Sequence, residues 1–153
     1  MRAYYIPLGA GLVLILSSFL PWMFLGTSRV GGVPDPAGLW VLGLGITAVT
    51  LAGLSLWTRK NSRHPLLVVG LAAFAITFLG YQWLSRSVRE TAWARSQAEA
   101  IVGNTPVQAP PPTAVGAGIY LGIAASVVLI LFGLTIVIKK TPRVYAVSED
   151  DDV

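Results

Sequence analysis

Four long apolar runs, residues 3–26, 36–57, 65–85 and 114–138, occupy most of this chain, and no Asp, Glu, Lys, Arg or His interrupts any of them. A bilayer core about 30 Å thick needs about 20 apolar residues per helical crossing, so each run is long enough to cross as a helix. The pattern predicts an all-α integral membrane protein with four transmembrane helices in a bundle, a single membrane domain over residues 1–153. Within the first run, Pro7 falls in the opening turn, where proline costs little, whereas Pro21 predicts a kink or stop near the far end. Ser17 and Ser18 lie just before it, placed to bond backbone groups freed by the kink or a preceding carbonyl.

The polar pattern is concentrated between the third and fourth runs, in an outer loop of residues 86–113. Residues 86–102 lack Pro and Gly and are rich in Ala, Arg, Glu and Gln, which predicts that the third helix extends outward. Gly103-Asn104 followed by Pro106 predicts its stop. Pro106 and Pro110-Pro111-Pro112 then predict a stiff, extended, proline-rich strap that returns to the fourth helix. A helix of about 17 residues projects roughly 25 Å, and about ten extended residues at about 3.1 Å each cover the return. Arg86, Arg89, Trp93 and Arg95 on this excursion are the candidates for contact with a partner, because Trp and Arg are enriched in binding hot spots. The first outer loop, residues 27–37, contains Gly31-Gly32-Val33-Pro34-Asp35-Pro36 and reads as a cluster of tight turns.

Helices associate in lipid through close backbone approach, so small residues at helical spacing mark the packing faces. Gly45, Ala48, Ala52 and Ser55 form such a seam in the second run, and Gly70, Ala73, Thr77 and Gly80 repeat the spacing in the third. The shared spacing would allow these two helices to pack face to face. In the fourth run, Gly118, Gly122 and Ser126 form a small-x-x-x-small ladder of the GxxxG kind. Its use is open between packing within the chain and contact with another copy.

Composition adds direction to this picture. Charged residues make up 12% of the chain, about half the fraction of a soluble domain. The net charge of +4 comes from basic residues at the ends of the runs, where they act as topology signals. With both termini on one side, that side holds Arg2, Arg59, Lys60, Arg63, Lys139, Lys140 and Arg143, and the other holds Arg29, Arg86, Arg89 and Arg95. The positive-inside rule then places both termini in the cytoplasm, and the expected location is a bacterial cytoplasmic membrane, multi-pass. The apolar run after Met1-Arg2 lacks a small-x-small cleavage site and reads as an uncleaved first span. Tyr4, Tyr5 and Trp57 are expected at the inner interface, and Trp22, Trp40, Tyr81, Trp83 and Tyr120 at the outer one. The tail, residues 139–153, passes from basic residues to Glu149, Asp150, Asp151 and Asp152 and is expected in solvent.

Little in the chain points to chemistry. There is no Cys, which removes disulfides, thiolate metal sites and thiol nucleophiles. No carboxylate lies within a run, so proton relays and carboxylate ion sites have no residues. His64, the one histidine, stands at the start of the third run and reads as interfacial, with axial ligation of a pigment or haem as the sharper alternative. The expectation is therefore no enzyme, no cofactor and no metal. Four spans with Gly38-Leu39-Trp40 resemble claudin-type tetraspan proteins in those three residues and in topology. The cysteine pair of their first outer loop is absent here and that loop is much shorter, so no function is carried across.

The functional expectation is a noncatalytic accessory or structural subunit of a larger bacterial membrane protein complex. Its partners are the lipid bilayer and other membrane subunits or copies of itself, not nucleic acid. A small oligomeric channel or transporter for neutral or lipidic solutes is the alternative, drawing on Thr47, Thr50, Thr77, Gln82, Ser126 and Thr135. A pigment- or quinone-contacting subunit is the third.

Overall fold

Proline at position 21 forces the residue before it out of helical conformation, and the first helix ends there. In the computed structural model, which describes residues 2–58, 62–104, 106–107, 109 and 112–139, helix α1 spans Tyr5–Phe19 and Leu20 is extended, with ψ 150°. The first apolar run is therefore not one helix over residues 3–26. Its last part forms strand β1, Met23–Leu25, which turns through Gly26-Thr27 into strand β2, Ser28–Val30. Gly26 has φ 58° at the first central position of this two-residue hairpin, a place that glycine fills without steric cost. Strand β3, Thr113–Val115, pairs antiparallel with the other edge of β1, giving the order β2-β1-β3. The expected all-α fold is thus corrected to a mostly helical one that carries a small antiparallel sheet.

Three further helices follow among the described residues: α2 at Pro36–Thr58, α3 at Arg63–Gly103 and α4 at Ala117–Lys139. By length and composition these three can each cross a membrane; α1, at 15 residues, is apolar but shorter. Helix α3 has 41 residues and runs about 60 Å, twice the thickness that a hydrocarbon core asks for. It stops where expected, with Asn104 in the left-handed region (φ 49°) and its N–H bonded to the Ala100 carbonyl. Parts of the proline strap, Pro110 and Pro111 among them, lie outside the described residues, as do the turn at 59–61 and the tail beyond residue 139.

The helices pack around α1 and α4. Helix α1 lies against α2 and α4, and α3 lies against α4 and, less extensively, α2. Leu14, Trp22, Val41, Leu66, Ile119 and Leu129 are fully enclosed at the centre. At the opposite end from the sheet, Tyr4 is buried edge-on against Phe132, with ring centres 5.2 Å apart, and its hydroxyl oxygen accepts the Ser62 N–H at 3.2 Å. Ser55 donates to Ser62 Oγ at 2.6 Å, and the Arg63 guanidinium sits 5.7 Å over the Phe132 ring. These contacts tie the N-terminus to the α2–α3 junction.

Candidate functional site

The small-residue seams are buried except at half-buried Gly80, but their partners differ from the sequence expectation. A Cβ added at Gly45 would lie 3.0 Å from the Ile15 backbone nitrogen, so the seam of Gly45, Ala48, Ala52 and Ser55 turns its glycine toward α1. Gly11 provides the matching gap on α1, within 3.0 Å of the Val49 nitrogen by the same measure. On α3, Gly70 faces Leu129 and Ile130 of α4, and Ala73 and Thr77 are fully buried. The α2 and α3 seams therefore each meet another helix instead of facing each other. Gly133 of α4 approaches the Leu67 backbone and extends the α3–α4 contact, beyond the ladder of Gly118, Gly122 and Ser126.

The GxxxG residues of α4 are occupied inside the chain. Gly118 lies under Trp22 and the carbonyls of Ser17 and Leu20, and Gly122 meets Thr77 on α3 and the Ser17 hydroxyl on α1. Ser126 is fully buried and donates to the Ile123 carbonyl. Gly80 is a third glycine of this region, facing the six-membered ring of Trp22.

Trp22 is the residue that the aromatic pattern misplaced. Only 1% of it is exposed, and its Nε1 donates to the Ser17 carbonyl at 3.1 Å, so it is a central packing residue and not an interfacial anchor. Tyr4 is likewise buried. Tyr5, Trp40, Trp57, Tyr81, Trp83 and Tyr120 are exposed, as rings at an interface require. Of the Gly38-Leu39-Trp40 triplet, Gly38 is buried against the Gly32 backbone while Leu39 and Trp40 are exposed.

On the part of α3 beyond Ser85, Val88, Ala92 and Ala100 are buried and the rest of the surface is open. Arg86, Arg89 and Trp93 are exposed and follow helical spacing down one flank of that buried stripe. Arg89 Nε donates to the Ser85 carbonyl at 3.0 Å. Arg95 is not part of this patch. It sits on the opposite flank, where it and Glu99 line a polar recess of about 360 Å³ against the Gly26-Thr27-Ser28 turn. The four candidates thus divide three and one.

A second, larger cavity of about 620 Å³ opens between α2 and α3 where those helices separate near the sheet. Its wall is apolar, built from Trp22, Trp40, Ile76, Leu79, Trp83 and Leu84, and Asp35 is its one ionisable lining residue. Asp35 also lines an adjoining recess with Arg29, and both spaces share Val30 and Gly31. Sequence reasoning passed over this site because its residues come from three segments, each of which reads as lipid-facing or as turn. His64 is exposed at the start of α3, and among the described residues no group of three or more His, Asp or Glu side chains gathers at one place.

The fold defines a class, a mostly helical chain with three helices long and apolar enough to cross a membrane. Compared with known proteins, the chain matches no family model, no curated protein and no solved structure.

Proposed function

We propose that this chain is an integral membrane protein with four crossing helices, a noncatalytic accessory subunit of a larger membrane complex that presents the α3 extension and sheet to a partner. The observation that carries the reading is the α3 extension itself. Its inner stripe of Val88, Ala92 and Ala100 is buried, so the flank bearing Arg86, Arg89 and Trp93 is held in a defined orientation. A preorganised surface of this kind binds with less ordering cost than a flexible loop.

Insertion has support from the backbone at the end of α1, the one helix shorter than a bilayer core. Leaving helical structure at apolar depth is tolerated only where protein partners satisfy the freed groups. Here the Ser18 carbonyl accepts Val33 N–H, the Pro21 carbonyl accepts Gly118 N–H, and the Trp22 carbonyl accepts Gly116 N–H at 2.7 Å. The strands pair the next residues. Basic residues then favour both termini on the cytoplasmic side, with sheet and α3 extension outside.

The channel reading draws on hydroxyls that are already engaged. Thr47, Thr50, Thr77, Ser126 and Thr135 each donate to a carbonyl of their own helix, and they divide between buried and exposed faces. Gentle detergent extraction followed by native mass spectrometry tests the accessory reading. A copurifying protein, lost in the Arg86→Ala, Arg89→Ala, Trp93→Ala variant at unchanged thermal stability, is the expected result. A stable monomer with nothing bound under those conditions sinks it.

A further inference from the structure

The flank of α3 that bears Arg86, Arg89 and Trp93 is ordered by height along the helix axis. Residues 65–85 span about 30 Å at about 1.5 Å per residue, the thickness of a hydrocarbon core. Arg86 therefore stands at the outer edge of that core, and Arg89 about 5 Å above it. Trp93 follows about 10 Å above Arg86, and Gln97 and Ile101 continue the same flank at four-residue steps to about 22 Å. All of these side chains are exposed, and the buried stripe of Val88, Ala92 and Ala100 holds them from behind.

The chemistry changes along this strip. Among the described residues, neither the Arg86 nor the Arg89 guanidinium forms an ion pair. Arg89 spends its Nε on the Ser85 carbonyl, which leaves its two terminal nitrogens for an outside acceptor. Glu90 borders the flank, so two guanidiniums stand against one carboxylate and the foot keeps a positive charge. At the other end Ile101 and Val102 are 81% and 88% exposed, two neighbouring branched side chains left in water. The strip thus has a cationic foot, an indole in the middle and an apolar tip.

Lipid covers only the bottom of it. The headgroup layer adds roughly 5 to 8 Å on each side of the core, which takes in Arg86 and Arg89 and leaves Trp93 and the tip above. A second copy in the same orientation spans the full height, but it sets Arg86 and Arg89 level with the same two residues, and like charges so placed oppose the contact. We infer that this flank packs lengthwise against an outward helix of a different membrane protein, one that carries Asp or Glu within about two turns of the end of its own span and apolar side chains in the turns beyond. The carboxylates meet Arg86 and Arg89, and the apolar residues cover Trp93 and Ile101. This partner chemistry rests on the accessory-subunit reading and adds to it the kind of chain that the flank accepts.

The lysines of the chain make the test direct, because Lys60, Lys139 and Lys140 all belong to the side opposite the flank. Arg86→Lys with Arg89→Lys keeps both charges and places amines on the outer side. The complex, extracted in gentle detergent, is treated with a water-soluble carbodiimide, which joins an amine to a carboxylate with no spacer, and the joined peptides are sequenced by mass spectrometry. The expected product links position 86 or 89 to an Asp or Glu of another protein, within about seven residues of the end of an apolar span. The unsubstituted chain is expected to give no such product. Charge reversal, Arg86→Glu with Arg89→Glu, should lower the retained amount of that protein about tenfold, and a carboxylate-to-lysine change at the joined partner position should restore it. Ile101→Asp should weaken retention at unchanged thermal stability of the chain. A product joined to a second copy of this chain overturns the inference, as does a phospholipid retained in place of a protein and lost on charge reversal. An intact complex that yields no product from position 86 or 89 overturns the inference and leaves the accessory reading standing, whereas a chain that emerges alone overturns both.

Discussion

Trp22 joins four separate segments of this structure. Its ring fills the space left by Gly31, Gly80 and Gly118, from three separate segments, and its Nε1 satisfies a carbonyl at the frayed end of α1. A large ring against glycines on several sides leaves no neighbour able to collapse into the gap when it is removed. Trp22→Ala is therefore expected to cost about 3 to 5 kcal/mol, the range for truncating a large buried aromatic. Trp22→Phe keeps most of the volume and loses one hydrogen bond, about 1 kcal/mol. Reversible unfolding in mixed micelles measures both, and an effect of Trp22→Ala no larger than that of the exposed Trp57→Ala would show that the ring is not the centre of the packing. From sequence alone Trp22 was indistinguishable from Trp40 and Trp83, because all three lie near the end of an apolar run. Burial is a property of what faces a residue, and those residues are remote in the chain.

Elements show a similar division between what periodicity reveals and what pairing reveals. The α3 extension was legible because residues 86–102 contain helix formers and no breaker, and its stop was legible in Gly103-Asn104. The sheet was not. Met23-Phe24-Leu25 continues an apolar run without alternation, and its partners Ser28-Arg29-Val30 and Thr113-Ala114-Val115 are each only three residues long. The local signal was Pro21 followed by Gly26, a helix stop and then a turn glycine. Helix α3 touches β1 and β3, Ala92 lines a recess with the Gly26-Thr27-Ser28 turn, and Val88 is buried one turn before it, so Val88→Asp should release the extension while leaving the apolar helices packed. Hydrogen exchange is expected to show faster amide exchange over residues 89–103, by about tenfold or more, with residues 66–80 unchanged. Protection that stays equal in both segments would mean that the extension is rigid by helix propensity alone.

Across the whole molecule, the small-residue seams give three close helix contacts, α1 with α2, α3 with α4, and α4 with α1, and leave α2 and α3 to diverge. That divergence creates the cavity beside Trp22. The orientation proposed for the membrane follows from charge, and the lack of any Cys makes it simple to test by single-cysteine labelling. Ser87→Cys on the α3 extension is expected to react with an impermeant maleimide in intact cells, and Thr58→Cys at the end of α2 only after permeabilisation. The reverse pattern would invert the topology, and labelling of both in intact cells would remove the case for insertion.

Helix number, the length and apolarity of α2, α3 and α4, and the extension of α3 were determined locally, since each depends on residues contiguous in the chain. Which seam meets which, whether the GxxxG ladder turns inward, which tryptophan is core, and where a cavity opens were decided only in three dimensions. Small residues announce that a close approach will occur and carry no information about the helix that makes it. In an apolar chain with no charged residue to break the symmetry between faces, the partner is chosen by the summed fit of all the helices at once.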